Sequence, residues 1–111
     1  VRPVSVGNNL TAGTKTTVYT VPTGYYALWN LCYISNHTGN NKTVSVWWYD
    51  SSASTEIVVV DAYQIAATQY LRFDGGAYVV LEEGDQIRIT PEVDSEMSST
   101  NTLVLYGAQR T

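Results

Sequence analysis

The run from Tyr19 to Asn36 limits the possible folds more than any other part of the chain. It reads Tyr-Thr-Val-Pro-Thr-Gly and continues from Tyr25 to Asn36 with almost no polar interruption. Pro22 fixes φ and Gly24 can take a positive φ, so a strand ends at Val21 and the chain turns. The strand that follows alternates unusually. Ala27, Trp29, Leu31 and Tyr33 fall on one face, and Leu28, Asn30, Cys32 and Ile34 on the other. A half-buried strand carries one apolar and one polar face. Here both faces are mostly apolar, which predicts a core on one side and a protein partner on the other.

The rest of the chain reads as strands. No window holds the i, i+3, i+4 apolar spacing of a helix, and β-branched and aromatic residues dominate. Residues 1–13 read as an extended arm or an edge strand, a place where Pro3 is tolerated. Residues 14–111 read as a single domain. Within it the pattern predicts strands over 14–21, 26–34, 42–50, 56–60, 68–73, 77–81, 86–90 and 102–108, with 61–67 as a connection or a further strand. Val44, Val46 and Trp48 are expected inward, as are Leu71 and Phe73, Ile87 and Ile89, and Leu103 and Leu105. Asp74-Gly75-Gly76 reads as a hairpin turn. Glu82-Glu83-Gly84-Asp85 is another turn, and residues 91–101 an acidic, Ser/Thr-rich loop. About eight strands at this spacing predict an all-β fold, a two-sheet antiparallel β-sandwich of jelly-roll or immunoglobulin-like topology.

Composition narrows the function classes. The chain has 111 residues, of which only 14% are charged and 44% apolar. Charge well below the usual share of about 25% suits a surface largely covered by other protein, or one that meets sugars. A net charge of −4 with scattered basic residues argues against nucleic-acid binding. No stretch approaches the length of a membrane span, and no signal-peptide pattern is present. Cys32 is the single cysteine. It can form no intrachain disulfide and reads as a small buried hydrophobe.

The candidates for chemistry are sparse. His37 is the single histidine, in the polar turn Asn36-His37-Thr38-Gly39 with no nucleophile motif beside it. Asp50, Asp61 and Asp74 close strands, where Asp serves local backbone. Glu92, Asp94 and Glu96 alternate, but without the glycine and full ligand series of a calcium loop. No catalytic residue, metal ligand or cofactor site is therefore expected. Asn9-Leu10-Thr11, Asn36-His37-Thr38 and Asn41-Lys42-Thr43 match the glycosylation sequon, as chance allows in so Asn- and Thr-rich a chain. The aromatic residues are the informative ones. Trp47, Tyr49, Tyr63, Tyr70 and Tyr25 are candidates for sugar stacking. Recurrence of apolar residues on second faces of several strands favours a protein interface instead. The interface candidates are Trp29, Tyr33, Trp47, Tyr49 and Tyr70.

Several runs carry a resemblance. They are Thr17-Val18-Tyr19-Thr20-Val21-Pro22-Thr23-Gly24, Ile34-Ser35-Asn36-His37-Thr38-Gly39, Val44-Ser45-Val46-Trp47-Trp48, Asp50-Ser51-Ser52 and Val80-Leu81-Glu82-Glu83-Gly84-Asp85-Gln86-Ile87. Together they resemble the small all-β virion structural proteins of tailed bacteriophages, especially marine and cyanobacterial ones, over roughly residues 14–108. The heavy use of Trp29, Trp47 and Trp48 departs from the milder Ile/Val/Thr usage of that group. The resemblance implies a non-enzymatic component of a virion. Its expected place is on the shell as a decoration or cement protein, or on the tail and its fibres. The implied partners are copies of itself, a trimer first, and phage major capsid or tail proteins. A carbohydrate-binding module with a glycan partner is the alternative.

Overall fold

The computed structural model describes residues 2–92 and 97–107, with residues 73–79 described in their backbone alone. Its strands are β1 (Arg2–Leu10), β2 (Thr16–Thr20), β3 (Tyr25–Asn36), β4 (Lys42–Asp50), β5 (Thr55–Ile65), β6 (Tyr70–Leu81), β7 (Gln86–Pro91) and β8 (Met97–Gly107). No helix occurs among the described residues. Sheet A has the order β1-β8-β3-β6 and sheet B the order β2-β7-β4-β5, with antiparallel pairing throughout. Each sheet thus interleaves strands from both ends of the chain. This is the double Greek key of a jelly roll, and it decides between the two sandwich topologies. The segment before Thr14 holds β1, an edge strand of sheet A paired with β8 along its length.

Strand β3 explains its own odd sequence. The register against both β6 and β8 shifts between Trp29 and Leu31. A β-bulge at Asn30 adds one residue, and the side-chain period of two then changes phase. Ala27 and Trp29 point inward before the bulge, and Cys32, Ile34 and Asn36 after it, all buried. Tyr26, Leu28, Leu31, Tyr33 and Ser35 form the outer set. Strict alternation put Leu31 and Tyr33 beside Trp29. The bulge separates them.

Three other segments depart from the sequence pattern. Residues 55–65 are one strand, in which Ala62 takes φ 49°. The Ser45 hydroxyl accepts the Ala62 N–H at 2.9 Å, so the strand bends where the reading ended it at Val60. Residues 70–81 likewise form one strand, and Asp74-Gly75-Gly76 is not a hairpin turn. The register steps from Asp74 opposite Leu31 to Val79 opposite Trp29. The glycines therefore mark a wide bulge facing the one at Asn30. The expected inward orientation of Phe73 lies outside the described residues, as do Asp94 and Glu96. Strand β8 begins at Met97, earlier than alternation suggests, because Ser99 and Asn101 are buried polar residues on its inner face.

The core lies between the sheets and follows the expected pattern elsewhere. Val44, Val46, Ile87, Ile89, Leu103 and Leu105 are buried, and Trp48 packs partly buried against them. Two buried polar residues fasten its ends. At one end Asp85, 1% exposed, accepts hydrogen bonds from Trp48 Nε1, Ser51 N, Ser51 Oγ and Glu82 N at 2.9–3.1 Å. The same turn docks on the Val21–Gly24 corner. Val21 N donates to Asp85 O, Gly84 N to Val21 O, and Gly24 N to Glu83 Oε2. Gly84 has φ +84°, and an added Cβ would sit 2.9 Å from Ser51 Oγ. At the other end Asn36 donates to Asn40 O and Ile65 O and accepts from Thr38 N and Oγ1. That amide is buried in use, so the sequon at Asn36 is not open to modification.

Candidate functional site: two unlike outer faces

The outer face of sheet B carries Trp47 and Tyr49, and each ring is covered by a cation. Lys15 Nζ lies 4.1 Å from the Trp47 ring centre and Arg88 Cζ 4.1 Å from that of Tyr49. Both cations converge on Glu56, at 2.6 Å from Lys15 and 3.0 Å from Arg88. Arg88 also donates to Gln86 Oε1, which accepts from Thr17 Oγ1 as well. The arrangement follows from register, because Arg88 on β7 pairs with Trp47 on β4 and Thr17 on β2, and Glu56 on β5 pairs with Tyr49. Each cation–π contact at such a site is worth about 0.5–1 kcal/mol. These aromatic residues therefore have partners within the chain.

The hydrogen bond from Lys15, with help from Arg88, holds the Glu56 carboxyl below its ordinary value of 4.5. A lowered folded pKa means that the stabilisation is present above the unfolded value and lost as pH falls through the folded one. Stability should therefore drop on acidification from about pH 4.5 downward. Glu56→Gln should flatten that limb while leaving neutral-pH stability within about 1 kcal/mol. Urea titrations at a series of pH values check this. An unchanged acid limb in the variant would remove Glu56 from the account.

The outer face of sheet A is built differently. Pro3, Val104, Leu28 and Val80 stand in one row across its four strands. Beside that row Tyr26 and Tyr106 stack, with ring centres 5.2 Å apart and planes 12° apart. Further along, Tyr33 and Tyr70 stack at 5.0 Å and 17°. Val80 is 50% exposed and Tyr70 53%. Arg72 stands opposite Tyr33 in the register, on the same face. Tyr33 and Tyr70 remain surface candidates, and Trp47 and Tyr49 are surface residues already engaged.

Trp29 leaves the candidate set. It is 3% exposed, and its Nε1 donates to buried Asn101 Oδ1 at 3.0 Å. Leu28 and Val104 take its place, together with Tyr26, Tyr106 and Val80. Adding the bulge phase to the alternation rule would have found Leu28. The others needed the strand order.

The His37 turn holds no catalytic arrangement. His37 Nε2 lies 3.0 Å from Ser98 Oγ and 3.3 Å from Ser35 Oγ. The Ser98 hydroxyl donates to Asn9 Oδ1 at 2.8 Å, so Nε2–H donates to Ser98 and does not accept its proton. No group of His, Cys, Asp and Glu suited to a metal occurs among the described residues. Cys32 is fully buried, and burial pushes its thiol up to about 12. Iodoacetamide at about pH 8 should leave the folded protein unmodified and alkylate it only in denaturant, as mass spectrometry would read. Rapid native alkylation would mean that β3 opens.

No protein-family model matches the chain, and no curated protein sequence matches it. Solved structures do. A subunit of Bacillus endospore appendages, described as a family of disulfide-linked pili, aligns with a TM-score of 0.56 and 16% identity, over 96% of this chain and 86% of its own. The globular domain of zebrafish complement 1qA aligns with a TM-score of 0.48 and 15% identity, over the full length of both. The first of these likenesses is one of fold.

Proposed function

We propose that this chain is a non-enzymatic structural subunit that packs against copies of itself through the outer face of sheet A. The observation that carries this reading is the Pro3–Val104–Leu28–Val80 row, an apolar strip across all four strands of sheet A. On sheet B the Trp47 and Tyr49 rings are covered by Lys15 and Arg88, and Val58 beside Trp47 is exposed. Strands about 4.8 Å apart and a rise of about 3.3 Å per residue make the row with the Tyr26–Tyr106 pair a patch on the order of 250 Å² in projection. Exposed apolar patches of a few hundred Å² are the scale of interaction surfaces. Closed symmetry is expected of such copies, with a trimer first. The endospore appendage neighbour belongs to disulfide-linked pili. Here Cys32 is buried, so the association is non-covalent. The finer placement is as a decoration protein on the shell of a tailed-phage virion, with tail or fibre attachment next. It rests on the resemblance of the Tyr-Thr-Val-Pro-Thr-Gly and Ser-Asn-His-Thr-Gly runs.

Light scattering after size exclusion tests the association. The 12.2 kDa chain should run as a multimer, and Leu28→Lys with Val104→Lys should run as a monomer with an unchanged melting temperature. A wild-type monomer at about 100 μM, a concentration far above ordinary dissociation constants, would overturn the reading. Copy number relative to the major shell protein in purified particles tests the finer placement.

A further inference from the structure

The inner face of sheet A carries polar residues inside the core. Asn8 on β1 stands opposite Ser99 on β8, and Asn101 follows Ser99 by two residues on the same face. Ser99 is 1% exposed and Asn101 fully buried. Three side-chain atoms meet here: Asn8 Oδ1, Ser99 Oγ and Asn101 Nδ2. All three are buried and have no hydrogen-bond partner among the described residues. We propose that they bind one internal water molecule, which ties the edge strand β1 to the core.

Register fixes the size of the site. Directly opposed residues of an antiparallel pair, as Asn8 and Ser99 are, hold their Cβ atoms about 5 Å apart. Two residues along a strand span about 7 Å, and the diagonal from Asn8 to Asn101 is about 7–8 Å. The three side chains therefore surround one point, yet none of their three free polar atoms lies within hydrogen-bond distance of another. Ser99 is also the smallest residue of an inner row that otherwise holds Met97, Asn101, Leu103 and Leu105. The donors and acceptors are complementary. An indole N–H can only donate, so the bond from Trp29 Nε1 fixes Oδ1 as the atom that Asn101 presents to it. The Asn101 Nδ2 group then points away from Trp29 and has hydrogens to give. A carbonyl oxygen such as Asn8 Oδ1 accepts, and the Ser99 hydroxyl does both. A water that accepts from Asn101 Nδ2 and donates to Asn8 Oδ1 and Ser99 Oγ makes the three bonds usual for a buried water. The Nδ2 donor rules against a hard cation, which takes oxygen ligands. The water completes a bridge from β1 through β8 to Trp29 on β3. It also gives Ser99 and Asn101 a reason to interrupt the apolar face of β8, since buried polar groups require partners.

Water–protein cross-relaxation on the ¹⁵N-labelled protein tests this. The side-chain amide protons of Asn101 should show a cross-peak to water, with the sign of a water that tumbles with the protein. Asn8→Leu combined with Ser99→Val keeps the side-chain shapes close and removes two of the three partners. That variant should lose the cross-peak, and its oxygen-17 relaxation dispersion should fall by the amplitude of one long-lived water. A high-resolution crystal structure of the wild type decides the matter where the variant does not fold. It should show a single water within about 3.2 Å of all three atoms. Absence of the cross-peak at Asn101 in the wild type would overturn the proposal. So would an unchanged dispersion amplitude in the folded variant, or a direct bond from Asn101 Nδ2 to Asn8 Oδ1 in the crystal.

Discussion

Asp85→Asn should lower the unfolding free energy by about 3–5 kcal/mol, although it changes one atom. The carboxylate accepts from four donors on three segments: Trp48 in β4, Ser51 after it, and Glu82 in its own turn. An amide keeps one acceptor oxygen and turns a donor toward the remaining N–H or O–H groups. Each buried donor left without a partner costs about 1–3 kcal/mol. For a domain of this size the melting temperature should fall by at least about 12 °C. Urea unfolding should show a lower midpoint with an unchanged slope. A loss below about 1 kcal/mol would mean that the packing around the turn holds it without the carboxylate.

Trp29→Ala should cost about 3–5 kcal/mol by opening a cavity between the sheets. Trp29→Phe isolates the bond to Asn101 and should cost about 1–3 kcal/mol. Neither should change the mass of the assembled protein in its folded fraction. Leu28→Lys is the mirror case, with little loss of stability and loss of association. If Trp29→Ala were instead to dissociate copies at full stability, the assignment of faces in β3 would be inverted.

These neighbours in sequence show where the sequence could be read and where it could not. The sandwich and most of the core were legible, because Val44-x-Val46-x-Trp48, Ile87-x-Ile89 and Leu103-x-Leu105 alternate without interruption; the total of eight strands agrees only because β6, expected as two strands, offsets β1, expected as an arm or edge strand. The Gly84-Asp85 turn was legible for a physical reason. Only glycine fits a positive φ with Ser51 so near, and Asp accepts from the backbone at a turn. Three features were not legible. A bulge adds a residue without changing composition, so Asn30 gave no sign that Leu31 had changed sides. The glycines after Asp74 signal a departure from a regular strand, and a wide bulge uses the same residues as a hairpin. Buried Ser99 and Asn101 broke the apolar alternation of β8 and hid its first half. The surface was harder still. Trp47 and Tyr49 were visible as aromatic residues. The cations over them come from Lys15 and Arg88, far away in sequence and brought close only by the order β2-β7-β4.

The ladder of cations on sheet B bears on how large an assembly can grow. A sandwich with two adhesive outer faces would stack on both sides and extend without limit. In this molecule Lys15, Arg88 and Glu56 cover the Trp47 and Tyr49 rings from within, and Val58 is the apolar residue left exposed beside them. If copies join through sheet A as proposed, the charges on sheet B would act as a terminator, favouring a closed group of finite copy number over open stacking.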